Sequence, residues 1–135
     1  PDGYIYFHED GLNDGSTNPP SPLSSYIESS AIDMGDGDQF MFVSRVLPDL
    51  TFRNSTSTPS ATFEVSARDF PGANFDQTNS GAAVRSATAP VEQFTEQLFF
   101  RLRGRSMALK VSSNTLGTQW RLGTPRADMR TDGRR

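Results

Sequence analysis

The sequence has no cysteine and a single histidine, His8. Without cysteine, disulfide bonds and thiolate metal sites are excluded, and the redox compartment stays undetermined. A histidine-based catalytic triad or metal site would have to be built around His8 alone. No run of residues is long and apolar enough to cross a bilayer, and no signal peptide is visible. We therefore expect no cofactor, no metal and no membrane partner.

Helical periodicity is also missing, because no stretch of helical length keeps a clean 3.6-residue repeat. The 135 residues are enough for one domain with a core. Apolar residues are scarce, and Gly, Pro, Ser, Thr and Asn are plentiful. Such a composition favours short strands joined by long loops over a helical bundle.

The clearest alternation surrounds Gly104, between residues 96 and 122. Before this glycine, Leu98, Phe100 and Leu102 share one face, and Phe99, Arg101 and Arg103 share the other. After it, Met107, Leu109 and Val111 share a face. Period two on both sides of a glycine predicts a β-hairpin with one buried face. Trp120 and Leu122 extend the apolar set on a predicted third strand.

Further strands are predicted over residues 25–32, 40–52 and 61–67. Pro48 interrupts the second of these, which predicts an edge, bulge or bend there. Residues 74–89 are small, polar and aperiodic, so they are interpreted as a long exposed loop. About six antiparallel strands with two-sided apolar stretches predict an all-β, sandwich-like domain, and the alternative is a set of β-propeller blades.

Three regions are expected along the chain. Residues 1–22 are interpreted as an exit strand (residues 4–7) and a turn-rich linker (13–22) from a missing upstream module, because the chain starts at Pro1 without Met. Residues 23–125 form the β-rich domain. Residues 126–135 form an extended basic tail that is shaped by Pro125 and Gly133.

Charge is polarised along the sequence, although the net charge is only −3. Up to Leu50, Arg45 stands alone against the acidic residues Asp2, Glu9, Asp10, Asp14, Glu28, Asp33, Asp36, Asp38 and Asp49. From Gln97 onward, bases outnumber Asp128 and Asp132. Either the two halves neutralise each other within the domain, or one subunit's basic end meets its neighbour's acidic end in a ring.

The late arginines are the candidate site. Three lie on the outward face of the predicted hairpin, with Arg121 near by in sequence, and the rest lie in the tail. The row of arginines beside Phe99 is either solvated, or it binds the acidic surface of a partner or nucleic acid. The predicted subunit-contact residues are Arg101, Arg103, Arg105, Arg121, Arg126, Arg130, Arg134 and Arg135.

Two other patterns favour ordinary structure over chemistry. The acidic residues of 33–38 with Gly35 and Gly37 look superficially like a calcium loop, but the distant bidentate glutamate of an EF-hand is absent, so a tight turn is predicted. Glu92 and Glu96 suggest the carboxylate pair of a glycoside hydrolase, but nothing in the sequence marks a cleft. No enzyme activity is predicted.

Several longer motifs resemble the C-terminal region of a structural protein of tailed bacteriophages, of the tail hub or nozzle type in short-tailed phages. The resemblance covers nearly the whole chain after Ser21. The residues that carry it are Tyr26-Ile27-Glu28-Ser29-Ser30, Asp33-x-Gly35-Asp36-Gly37, Phe40-Met41-Phe42-Val43-x-Arg45, Pro48-Asp49-x-Thr51-Phe52, Phe70-Pro71-Gly72-Ala73, Val91-Glu92-Gln93-Phe94-Thr95-Glu96-Gln97-Leu98, Arg103-Gly104-Arg105-x-Met107, Leu116-Gly117-x-Gln119-Trp120-Arg121-Leu122-Gly123, Pro125-Arg126 and Asp132-Gly133-Arg134-Arg135.

The resemblance implies a virion protein whose copies form a ring, usually a hexamer, below the portal. Its partners would be other copies, other tail and portal proteins, and DNA only in transit through the channel. Acidic side chains lining that channel would repel phosphate. The alternatives are another virion component, a carbohydrate-binding β-sandwich using Tyr26, Phe75 or Trp120, and a tail-associated glycan hydrolase.

Overall fold

The computed structural model describes Gly3, Ile5 and residues 10–70 and 85–134. These residues form strands, turns and loops, with no helix among them and hence none able to cross a membrane. Twelve strands follow in chain order: β1 (Asn13–Asp14), β2 (Ser21–Pro22), β3 (Ser25–Glu28), β4 (Ile32–Asp33), β5 (Met41–Leu47), β6 (Leu50–Thr51), β7 (Ser60–Arg68), β8 (Ser86–Glu92), β9 (Leu98–Gly104), β10 (Ser106–Ser113), β11 (Arg121–Leu122) and β12 (Arg126–Thr131).

Two antiparallel sheets form the body of the domain. The larger sheet has the order β3-β10-β7-β8, with β4 also paired to β10, and the smaller has the order β12-β5-β9. One hydrophobic core takes buried side chains from both sheets, including Met41 and Phe100 of the smaller and Phe63 and Val111 of the larger. The predicted all-β, sandwich-like fold is confirmed, and the described strands form facing sheets instead of propeller blades.

Strand β7 shows how alternation builds this core. Ala61, Phe63, Val65 and Ala67 are buried, whereas the residues between them are exposed or half-buried. The bend predicted at Pro48 is also present. β5 ends at Leu47, β6 begins at Leu50, and Asp49 between them has a φ of 44°. The turn predicted over residues 33–38 is confirmed between β4 and β5.

The predicted hairpin around Gly104 is wrong. β9 pairs with β5, whereas β10 pairs with β3, β4 and β7, so the chain crosses at Gly104 from one sheet to the other. A Cβ at this position would lie 2.7 Å from Cβ of Ala67. Glycine is therefore needed here because the two sheets approach each other closely. A strand is present where the third one was predicted, since Leu122 belongs to β11, but it pairs with β6 and not with the strands around Gly104.

The segment interpreted as an extended basic tail is a strand of the domain itself over residues 126–131. β12 forms an antiparallel ladder with β5, from Arg126 opposite Leu47 to Thr131 opposite Met41. Its sequence alternates charged residues with Ala127 and Met129, which suits an edge strand with one apolar side. The boundary at residue 125 therefore does not separate a free tail from the sheets.

Two segments interpreted as irregular contain strands. The final part of the predicted 74–89 loop belongs to β8, which pairs with β7 along its whole length; residues 74–84 lie outside the described residues. β8 is an edge strand and therefore accommodates Pro90, which cannot donate to a ladder. In the predicted linker, β1 pairs with β2. The strand predicted at residues 4–7 falls mostly outside the described residues.

Candidate functional site

The outward side of the smaller sheet gathers most of the predicted arginines that lie on strands. In β9, alternation buries Leu98 and Phe100 and turns Phe99 and Arg101 towards solvent. The neighbouring strands β5 and β12 add their outward residues through the ladder registers. We call this surface the arginine face; it consists of Phe42, Arg45, Leu47, Phe99, Arg101, Arg103, Arg126, Asp128 and Arg130.

Some cations of the arginine face are already paired. Arg45 forms an ion pair with Asp128 across the β5–β12 ladder, with 2.6 Å between Nη2 and Oδ2. Both side chains are about half exposed, so the pair contributes less than about 1 kcal/mol to stability. The guanidinium carbon of Arg130 lies 4.9 Å from the centroid of the Phe42 ring, in cation–π geometry.

Other members of the arginine face have no such partner. Arg101 and Arg126 are exposed and form no ion pair with any residue in the described parts of the chain. Phe99 lies beside Arg101 in sequence and is 72% exposed. Arginine and large aromatic residues are the types enriched where protein surfaces meet. This part of the arginine face is thus a cationic and aromatic surface that the chain itself leaves open.

The other late arginines hold the chain's own C-terminal residues. Arg103 contacts Asp132 twice, through Nε to the carboxylate Oδ2 at 2.6 Å and through Nη2 to the carbonyl oxygen at 3.0 Å. Arg105 donates from Nη2 to the carbonyl oxygen of Arg134 at 3.0 Å. Both guanidinium groups lie over the ring of Phe40, at 3.9 and 4.9 Å from its centroid. Arg103, Arg105 and Arg134 therefore make contacts within the chain.

Acidic residues of the early half are largely left free by these contacts. Arg134 pairs with Asp38 at 3.3 Å, and this is the one ion pair between an early acid and a late base within the described residues. Glu28, Asp33 and Asp36 are exposed on β3, on β4 and in the following turn. Internal neutralisation of the two halves is therefore slight in the part of the chain that the structure describes.

An apolar groove opens between β12 of the smaller sheet and the β4–β10 pair of the larger one. Its volume is about 210 Å³. Ile32 and Met129 line it and are 46% and 41% exposed, and Val43 and Met107 extend it towards the core. The smaller sheet has three strands and the larger five, and the groove lies at the β12 edge of the smaller sheet. The lining also includes the charged side chain of Arg126, and Asp33 follows Ile32 in sequence.

The remaining predicted residues lie elsewhere. Arg121 is exposed on β11 and lines a separate polar cleft of about 470 Å³ beside the β6–β11 pair. Arg135 lies outside the described residues, as does Phe75. Of the other aromatic candidates for carbohydrate binding, Tyr26 is 68% exposed beneath the ammonium of Lys110, and Trp120 is half-buried in the polar cleft.

Neither acidic pattern forms a catalytic or metal-binding constellation in the described residues. No group of three or more His, Cys, Asp or Glu side chains there could hold a metal ion, which includes the acids of the 33–38 turn. Glu92 ends β8, and its backbone N–H bonds to Oγ1 of Thr95 at 3.0 Å in the turn before β9. Glu92 and Glu96 are both exposed in this connection.

Sequence reasoning missed three features of the surface: the groove, the polar cleft and the role of β12. The alternation of Arg126, Ala127, Asp128, Met129 and Arg130 was the available signal for β12, since it has the period of a half-buried strand. The groove and the cleft have no local signal. Each depends on which strands pair, and alternation does not specify partners.

Comparisons with known proteins identify no relative of this chain. No protein-family model matches it, and no curated protein matches its sequence. The functional interpretation consequently depends on the surfaces described above and on the sequence motifs.

Proposed function

We propose that this chain is a structural virion protein of a tailed phage, a subunit that forms a ring of tail hub or nozzle type around the DNA ejection channel. The sequence motifs supply the virion context. The arginine face supplies the physical means of assembly, because Arg101, Arg126 and Phe99 are exposed without partners among the described residues. This open surface is the observation that carries the proposal.

The matching surface is the acidic, apolar edge of the larger sheet. Glu28, Asp33 and Asp36 are exposed there, and Ile32 adds an exposed apolar side chain beside the groove. An arginine-and-phenylalanine surface complements such an edge in charge and in apolar character. Arg126 lines the same groove as Ile32, whereas Phe99 and Arg101 lie on β9 of the smaller sheet, away from the β3 and β4 strands that carry the acids. A contact from β9 of one copy to β3 and β4 of the next would be head-to-tail, and a rotation that closes produces a ring.

The role would be passive. Contacts between copies hold the ring, and acidic residues facing the channel keep the phosphates of passing DNA from binding. Arg103 and Arg105 already bind residues 132 and 134, and Arg134 binds Asp38. The contacts between copies would therefore be made by Arg101, Arg126 and Phe99. We expect a homo-oligomer, with a hexamer as the implied number, that also contacts other tail and portal proteins.

Charge reversal tests this assignment. The double variant Arg101→Glu/Arg126→Glu should shift the chain from a ring to smaller species in native mass spectrometry and in particle imaging. Arg53→Glu is the charge-matched control for the single variants Arg101→Glu and Arg126→Glu, since Arg53 is also exposed but lies outside the arginine face. Restoring the ring by adding Glu28→Arg/Asp33→Arg would identify the acidic edge as the partner.

Two results would contradict the proposal. The first is a wild-type chain that stays monomeric at every concentration, and also when other virion proteins are added. Such a chain has no interface between copies on the arginine face. Equal loss of assembly in the control and in the single variants would show that the effect is one of overall charge, independent of the arginine face.

A further inference from the structure

The polar cleft beside the β6–β11 pair is a built surface, independent of the arginine face. The register places Arg121 opposite Thr51 and Leu122 opposite Leu50. Leu50 and Leu122 pack against the core, so Thr51 and Arg121 point to the other side of the ladder. Arg53 lies two residues beyond Thr51, past the buried Phe52, and joins them along one wall of the cleft.

Side chains and backbone at the cleft are held in place by hydrogen bonds. The Ser55 hydroxyl accepts from the backbone N–H of Gln119 at 3.0 Å and donates to its carbonyl oxygen at 3.2 Å. The Asp49 carboxylate accepts from the N–H of Thr124 at 2.6 Å. The indole Nε1 of Trp120 donates to Oγ of Ser25 at 2.9 Å, which fixes the ring at the cleft. A ligand would therefore meet a preorganised surface.

The backbone of the cleft is also unusual. Asp49 and Asn54 have φ values of 44° and 63°, and they are the non-glycine residues with positive φ in the described parts of the chain. Both line the cleft. Aspartate and asparagine tolerate this region better than other residues, but it still carries a cost that surrounding structure must support.

The unused groups of the cleft define its chemistry. Arg53 and Arg121 form no ion pair, and the side-chain amides of Asn54 and Gln119 make no hydrogen bond, within the described residues. Guanidinium groups bind carboxylates through paired N–H donors, and amides both donate to and accept from hydroxyl groups. Asp49 is the one acid lining the cleft, and its carboxylate is already bonded to Thr124.

We propose that this cleft binds an acidic saccharide, with a sugar carboxylate on Arg53 and Arg121 and sugar hydroxyls on Asn54, Gln119 and Thr51. The volume of about 470 Å³ is in the range of small-ligand sites. This binding site does not depend on ring assembly, because no residue of the arginine face lines it.

Isothermal titration calorimetry with defined oligosaccharides tests the site. The probes are oligomers of galacturonate, glucuronate and mannuronate and a sialylated trisaccharide, with maltotriose as a neutral sugar. At least one acidic probe should bind, at least tenfold more tightly than maltotriose. Arg53→Gln and Arg121→Gln should each weaken that binding at least tenfold, because each removes a charged donor pair. Arg101→Gln, at an exposed arginine of β9 that lines neither the cleft nor the pocket next to it, should leave it unchanged.

Other outcomes overturn the proposal. Failure of every acidic probe to bind, or equal affinity for maltotriose, removes the assignment to an acidic sugar. Equal or tighter binding of inorganic phosphate or of an oligothymidylate would make the cleft a general anion or nucleic-acid site. Retained binding in both arginine variants would place the saccharide elsewhere on the chain. None of these results bears on oligomeric state, so they are separable from failure of the ring.

Discussion

Replacing Gly104 with alanine tests the crossing of the chain between the two sheets. The added methyl group would lie 2.7 Å from Cβ of Ala67, 3.1 Å from the carbonyl oxygen of Arg68 and 3.3 Å from its nitrogen. Two of these atoms are backbone, and Ala67 is buried in the core. The neighbours therefore cannot move aside without disturbing the β7–β10 ladder that they belong to.

The size of the effect follows from two opposing terms. Overpacking a well-filled site costs about 1–3 kcal/mol. Alanine also restricts the unfolded chain more than glycine does, and this raises the free energy of unfolding by about 0.4–1 kcal/mol. Gly104→Ala should therefore lower the free energy of unfolding by about 1.3 kcal/mol, the difference between the midpoints of these ranges. For a domain of this length, each kcal/mol corresponds to a loss of roughly 3–5 °C in Tm.

Urea unfolding followed by tryptophan fluorescence measures this change, and Gly15→Ala is the matched control. A methyl group added at Gly15 would meet no atom within 4 Å, and this glycine has no left-handed φ, so the substitution should leave stability unchanged or raise it slightly. In a double-mutant cycle, Gly104→Ala should cost less in an Ala67→Gly background than in the wild-type chain, because the closest contact of the added methyl group is then absent. Unchanged or higher stability of Gly104→Ala would refute the close approach of the sheets at this residue.

Three further predictions concern the core, the C-terminal residues and pH. Phe63→Ala should cost about 3–5 kcal/mol in urea unfolding, because Phe63 is fully buried between the sheets. Asp132→Asn should cost less than about 1 kcal/mol, because the Arg103–Asp132 pair is more than one third exposed. The backbone N–H of Ser16 lowers the pKa of Asp14, so an NMR titration should place it below that of an ordinary aspartate. Its small stabilising effect is present above the unfolded-state pKa and is lost as pH falls through the folded-state pKa.

Alternation in the sequence predicted which side chains are buried on β7 and β9, but not throughout β10, where Ala108 is buried and Leu109 is only half-buried. Ala61, Phe63 and Val65 face the core as expected, and so do Leu98 and Phe100. These positions follow from a two-residue period and the gain from burying apolar area, and both are local properties of a strand. Fold class could be predicted for the same reason.

Strand partners could not be predicted. Alternation determines which face of a strand is buried, but it does not determine which strand lies next to it in the sheet. The residues on both sides of Gly104 suit a hairpin as well as they suit a crossing between sheets. The choice is made by contacts distant in sequence, such as the Arg105 N–H donating to the Arg68 carbonyl oxygen at 2.9 Å. β8 was missed because its inward residues Ala87 and Ala89 are small, so its pattern is weak in sequence.

The same limit explains why the arginines divide into two groups that look identical in sequence. Arg101 and Arg103 are two residues apart on one strand and share a face, yet Arg103 reaches the C-terminal residues through Asp132 and Arg101 does not. The difference arises because β12 runs beside β5 and ends near Phe40, where Gly133 and Asp132 continue the ladder through bonds of 2.7 Å to its backbone. An arginine near that end becomes part of the domain. One at the middle of β9 stays available for another molecule, which is why Arg101 is the sharper test of assembly.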